Sequence, residues 1–102
     1  LEIAMLGDTY SAQEAERLGL VNRVVPAAEL DAAVQELAQR LAGGPTLAYG
    51  HMRRLMRASF DHDLPTQLAA EAEAFVACAH SADLPEGIEA FHAKRPAAFQ
   101  GR

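Results

Sequence analysis

The chain has 102 residues, half of them hydrophobic by type and 23% charged, with a formal net charge of -5. That length allows one domain at most, near the small end of what buries a self-sufficient core, so an oligomer or a further segment is expected. The acidic balance argues against nucleic acid as the main partner, the composition argues against disorder, and the single Cys78 rules out an internal disulfide framework. Alanine accounts for 22 residues and tryptophan for none, so helices with small, closely packed side chains are favoured over an aromatic core. A single cysteine fits a reducing, cytoplasmic setting; no apolar run reaches the roughly 20 residues of a membrane helix, and no signal peptide is visible.

In chain order, Leu1 to Leu6 is mostly apolar and runs into Gly7, reading as the end of a helix whose start lies elsewhere. A first residue other than Met, inside a structured segment, points to a piece of a longer protein. Ser11-Ala12-Gln13-Glu14 is a capping box, because the serine oxygen can accept from the Glu14 amide while the glutamate reaches back. A helix of about two turns follows and ends at Gly19. Leu20 to Val25 is β-branched and loosely alternating, and reads as a short extended segment ended by Pro26.

Ala27 to Ala42 is the clearest helix, with Leu30, Val34, Leu37 and Leu41 on one stripe. Gly43-Gly44-Pro45 breaks it and is too short for a phosphate loop. The next helix runs from Thr46 to about Phe60, with Met52, Leu55, Met56 and Phe60 on one side and Arg53, Arg54 and Arg57 as a basic patch beside them. Asp61-His62-Asp63 closes it and supplies an N-cap for a helix from Leu64 to about His80. Ser81 or Asp83 is expected to cap the last helix, which reaches about Lys94 before Pro96. The fold class is thus mainly α: about five short amphipathic helices with one extended segment.

Few patterns carry chemistry. No His/Cys cluster supports a metal site, and His62 between two aspartates reads as capping. Cys78 lies on an apolar helix side and reads as core filler. The arginine patch suits phosphate, or else a solvated face or pairing with the acidic helix that comes next. Phe91 and Lys94 are three apart, which places an aromatic ring and an ammonium group on one face of the last helical turn. That pair suits a nucleotide-bearing ligand; the alternative is an inward-packed ring beside a lysine that favours the helix C-terminus.

Two longer stretches add a family resemblance. Leu6-Gly7-Asp8-Thr9-Tyr10-Ser11-Ala12-Gln13-Glu14-Ala15, followed by Leu18-Gly19-Leu20-Val21-Asn22-Arg23-Val24-Val25-Pro26, is similar to a characteristic run of the enoyl-CoA hydratase/isomerase (crotonase) superfamily. Glu86-Gly87-Ile88-Glu89-Ala90-Phe91, then Lys94-Arg95, Phe99 and Gly101-Arg102, resembles that family's closing motif. Gly44-Pro45-Thr46 and the stretch from Asp83 to Arg95 are also similar to the ring-modified phenylacetyl-CoA isomerases within it.

The resemblance implies that residues 1–102 form a single C-terminal helical segment, with residues 1–10 as the tail of an N-terminal β/α spiral. It implies hydration or double-bond isomerisation of an enoyl-CoA thioester by the whole protein, assembly into trimers or hexamers, and no cofactor beyond the coenzyme A of the substrate. In the family the spiral carries the oxyanion hole and the acid/base carboxylates. No catalytic residue therefore transfers, and Glu14, Glu71, Glu73, Glu86 and Glu89 read as a cap or as exposed helix positions. Phe91 and Lys94 match the positions that meet the adenine and phosphates of coenzyme A. His92 stands where an apolar residue is common, and Arg53 where lysine is. A chain that self-associates through its apolar stripes and binds no coenzyme A is the other reading.

Overall fold

The spacing of apolar residues in this sequence repeats every three to four positions, and helices form accordingly. The structure, a computed structural model, describes Glu2–Arg102. Its described residues form six α-helices: α1 (Glu2–Leu6), α2 (Ala12–Arg17), α3 (Leu30–Ala42), α4 (Thr46–Ala58), α5 (Leu64–Ala79) and α6 (Asp83–Ala93). The sixth helix, beyond the five expected, is α1, which the sequence presents only as a helix end. Leu1 lies outside the described residues. A 3-10 turn at Ala27–Glu29 precedes α3, so the expected helix from Ala27 opens tightly before becoming α-helical. The chain divides into two compact units, Leu1–Gln35 and Glu36–Arg102.

In the first unit the capping box forms. The Glu14 amide donates to Ser11 Oγ at 3.2 Å, and the Ser11 amide donates to Glu14 Oε2 at 2.9 Å. At the other end Gly19 takes φ +75°, with its own amide donating to the Glu16 carbonyl and the Leu20 amide to the Ala15 carbonyl. Those two bonds close a Schellman turn, which explains why glycine succeeds the helix. Leu20 to Val25 joins no strand. The Val24 amide donates instead to the Glu16 carboxylate at 3.0 Å.

In the second unit α4 packs on α5 and α5 on α6. Small residues set the closest approaches: Ala74 on α5 is 8% exposed and Ala90 on α6 is 2% exposed. The expected cap at Asp63 forms, accepting from the Thr66 amide at 3.0 Å. Gly44 is buried against the Tyr49 ring, and an added Cβ there would collide with it.

The expected cap of α6 does not form. Its N-cap is Ala82, without a side-chain bond. Ser81 Oγ donates back to the Cys78 carbonyl at 2.7 Å. Asp83, 5% exposed, uses both carboxylate oxygens on the returning chain end, accepting from the Gln100 amide at 2.6 Å and the Gly101 amide at 2.8 Å. A carboxylate taken out of water is better satisfied by two charge-assisted bonds than by one cap bond.

The large apolar residues of the stripes are mostly uncovered. Leu30, Val34, Leu37 and Leu41 on α3, and Met52 and Met56 on α4, are exposed, and Phe60 just beyond α4 is 91% exposed. Periodicity identifies an apolar face and not what covers it, and full burial of each such side chain is worth about 1.5–3 kcal/mol.

Gly101 offers a direct check. It has φ +73°, and a Cβ there would strike Thr46 Oγ1 at the start of α4. Gly7 has φ +66° in open space. Gly7→Ala is expected to lower stability by about 1 kcal/mol for the left-handed backbone alone, and Gly101→Ala by clearly more, as read by urea unfolding.

Candidate functional site

Helix α6 and the segment after it hold the residues that the sequence puts forward. Phe91 is 81% exposed although its neighbour Ala90 is buried. Its ring meets His92 edge-on, with centroids 5.9 Å apart and planes at 73°. The reading of Phe91 as inward-packed therefore fails.

Lys94 does not continue the last helical turn. The helix ends at Ala93, and Lys94 has φ 52° and ψ 39°, the left-handed conformation. The Lys94 amide donates to the Phe91 carbonyl at 3.2 Å and the Arg95 amide to the Ala90 carbonyl at 3.1 Å. This is the same Schellman turn that Gly19 makes, here with a lysine at the glycine position. Phe91 and Lys94 are adjacent but leave the backbone from a helix and from a turn, not from one helical face. Left-handed backbone costs a side-chain-bearing residue about 1 kcal/mol.

The turn is held from the far side. Arg95 Nη1 and Nη2 donate to Glu86 Oε1 and Oε2 at 2.6 and 3.0 Å, and the Ala98 amide donates to Glu86 Oε1 at 2.6 Å. Arg95 also lies 3.5 Å from the Glu89 carboxylate. Phe99 then lies over Gly87, where an added Cβ would sit 3.4 Å from the ring. Among the described residues these are the ion pairs, and none involves Lys94, Arg53, Arg54 or Arg57. The alternative pairing of the basic patch with α5 is thus absent; Arg54 donates instead to His51 Nδ1 at 2.9 Å.

Glu86 and Arg95 perturb each other strongly. Arg95's guanidinium hydrogen bonds, and then the Ala98 amide, hold the Glu86 carboxyl down at about 2, while Glu86 pushes Arg95 further up. Hydrogen bonds from Ser11 and Thr66 hold Glu14 and Asp63 below the ordinary carboxylate values. The Glu86–Arg95 pair and the Asp83 contacts escape a reading of the sequence because they span nine and up to eighteen residues. The family-like spacing of Glu86, Gly87, Arg95, Phe99 and Gly101 is the available signal.

An apolar cavity of about 460 Å³ opens beside this segment, lined by Cys78, Leu84, Ile88, Phe91, His92 and Phe99 among others. Cys78 is half-buried there, and His92, Ser81 and Asp83 are the polar residues of its mostly apolar lining. A shallow cavity of about 510 Å³ lies between α3 and α4, with Arg40 and Arg53 beside Leu37, Leu41, Met52 and Met56. His62 bonds Gln67 Oε1 at 3.2 Å. Glu71 accepts from Gln67 Nε2 at 3.1 Å. Among the described residues no three His, Cys, Asp or Glu side chains form a metal-holding group, and no helix is long and apolar enough to cross a membrane.

These features coincide with a known family. The family model for enoyl-CoA hydratase/isomerase matches residues 1–102, and the chain belongs to that family. It is 36% identical over 100 residues to a Rhodobacter capsulatus protein named as a probable enoyl-CoA hydratase, covering 98% of this chain and 39% of that one. It is 35% identical over 100 residues to the 1,2-epoxyphenylacetyl-CoA isomerase of Escherichia coli, covering 98% of this chain and 38% of that one. A crystal structure of an enoyl-CoA hydratase/isomerase-type protein from Mycobacterium abscessus superposes with a TM-score of 0.93 at 37% identity, over 99% of this chain and 39% of that one. The chain thus spans about two fifths of the length of these relatives, and its helices match part of a crotonase fold.

The geometry gives two expected outcomes. A carboxyl held low in the folded chain contributes stability above its ordinary value near 4.5, which is lost as the pH falls toward about 2. Glu14 and Asp63 act with the same sign. The urea midpoint is expected to fall between about pH 5 and pH 2, and Glu86→Gln to flatten that fall. Separately, Lys94→Gly is expected to raise stability by about 1 kcal/mol in the same assay, because glycine accepts the turn without strain.

Proposed function

We propose that the chain is the C-terminal helical part of an acyl-CoA hydratase/isomerase, closing the coenzyme A site and carrying subunit assembly. The whole protein would add water across, or move, a carbon–carbon double bond beside a CoA thioester. Charge then develops on the thioester oxygen as an enolate forms, and that oxygen needs preorganised donors. No residue of this chain is assigned to that task, and the 102 residues alone are expected to be inactive. A cytoplasmic location and a trimeric or hexameric parent are part of the same reading.

The observation that carries the proposal is the exposure of Phe91 next to a lysine outside every ion pair of the described residues, on a chain of this family. The ring would stack on the adenine of coenzyme A. The Lys94 ammonium would neutralise a phosphate as a mobile point charge with three donors. The names of the relatives range over hydratase, epoxyphenylacetyl-CoA isomerase and carnitinyl-CoA dehydratase, so the shared chemistry is the CoA thioester and not one acyl group.

One observation favours a second reading. The exposed α3 stripe and Met52, Met56 and Phe60 give the chain a large uncovered apolar surface. Such surfaces mark docking faces, and on this reading self-association is the whole role of the chain.

Calorimetric titration of the chain with coenzyme A, with its mass measured in the same buffer, separates the two. Saturable binding, weakened about tenfold by Phe91→Ala and again by Lys94→Ala, is expected, a stacked base being worth about 1–3 kcal/mol. A defined oligomer that binds no coenzyme A would leave self-association as the function. Hydratase turnover by the purified chain at a rate typical of enzymes would overturn the assignment of catalysis to the rest of the protein.

A further inference from the structure

We propose that Glu86 is a positioning residue for Lys94: through Arg95 it fixes the left-handed turn from which the Lys94 side chain leaves α6. The functional half of this proposal rests on the coenzyme A reading; the conformational half does not.

Lys94 is, among the described residues, the one non-glycine residue with positive φ. A helix can end without such a residue, as α5 does at His80, where φ is -86°. Two backbone bonds close the turn at Lys94 and favour positive φ there whether residue 94 is lysine or glycine, against a left-handed cost of similar size for lysine, so a further attachment can decide the balance. The further contribution comes from the segment after the turn. Arg95 folds back along α6 and grips Glu86 through both guanidinium nitrogens, at 2.6 and 3.0 Å. Arg95 Nη1 also donates to the Pro96 carbonyl at 3.1 Å, and the Ala98 amide reaches the same Glu86 oxygen at 2.6 Å. Glu86 sits about two turns before Lys94, on the helix that Lys94 ends. Lys94 is therefore the hinge between a helix and a segment that one carboxylate ties back onto that helix.

A planar, bidentate pair of this kind sets direction as well as energy. With both sides of the turn pinned, the Lys94 Cα–Cβ bond has one exit direction, three residues along the chain from the exposed Phe91. Without the pair only the two backbone bonds oppose the strain at residue 94, so ordinary negative φ becomes populated and the ammonium sweeps a wider volume. A flexible lysine that must be ordered on binding loses affinity for that reason.

The test uses the isotopically labelled chain and its Glu86→Gln variant. Lys94 carbon shifts and its amide–Hα coupling report the sign of φ, circular dichroism reports overall folding, and titration with coenzyme A reports binding. The expected result is retained helicity, loss of positive φ at Lys94, and roughly tenfold weaker coenzyme A binding. Arg95→Gln should reproduce both changes from the other partner, and the double variant should be no worse than either single one, because they remove one interaction. Should Glu86→Gln not fold, the Arg95→Gln readings decide alone. Lys94 keeping positive φ in a folded variant would overturn the proposal. Loss of positive φ with unchanged coenzyme A affinity would support the clamp and overturn the coenzyme A role of Lys94; absence of binding in the unsubstituted chain would overturn that role and leave the φ readings to decide the clamp.

Discussion

Five donors from the last eight residues converge on two carboxylates one turn apart on α6. Asp83 takes the amides of Gln100 and Gly101, and Glu86 takes the amide of Ala98 and two nitrogens of Arg95. Residues 95–102 form no helix, so their amides need acceptors elsewhere. Supplying those acceptors from α6 brings Phe99 over Gly87 and Gly101 against Thr46. The same attachments leave Lys94 as the corner of the path. The uncapped start of α6 belongs to this arrangement, because Asp83 answers the chain end in place of its own helix.

Chain distance divides what is legible in the sequence from what is not. The capping box at Ser11, the glycine stop at Gly19, the cap at Asp63 and the breaks at Gly44 and Pro45 involve residues within a few positions of one another, and each forms as its local pattern requires. The clamp on Glu86 and the burial of Asp83 join residues nine to eighteen apart, where no local rule applies. Asp83 illustrates the loss: an aspartate at the first turn of a helix reads as a cap, and only the returning chain shows otherwise. Helical spacing places Phe91 and Lys94 together at a helix end, and there they are. It fails for the backbone of Lys94, because it carries the helix one residue past the point where it stops.

The apolar stripes show a related limit. Leu30, Val34, Leu37 and Leu41 lie on one face as their spacing requires, yet they remain in water. A second unit whose buried hydrophobic residues are Ala74 and Ala90 draws little stability from burial. Exposed apolar faces of this extent are the kind that partner surfaces cover.

The two Schellman turns of this chain make a comparison within one molecule. At residue 19 the left-handed position is filled by glycine, the residue that suits it; at residue 94 it is filled by lysine. A sequence under pressure only to end a helix would use glycine at both. Lysine at 94 costs about 1 kcal/mol of folding free energy and puts a positive charge at the turn. Proteins tolerate such losses where activity depends on them, so under the proposed coenzyme A role residue 94 is a trade-off between stability and activity written into the backbone itself.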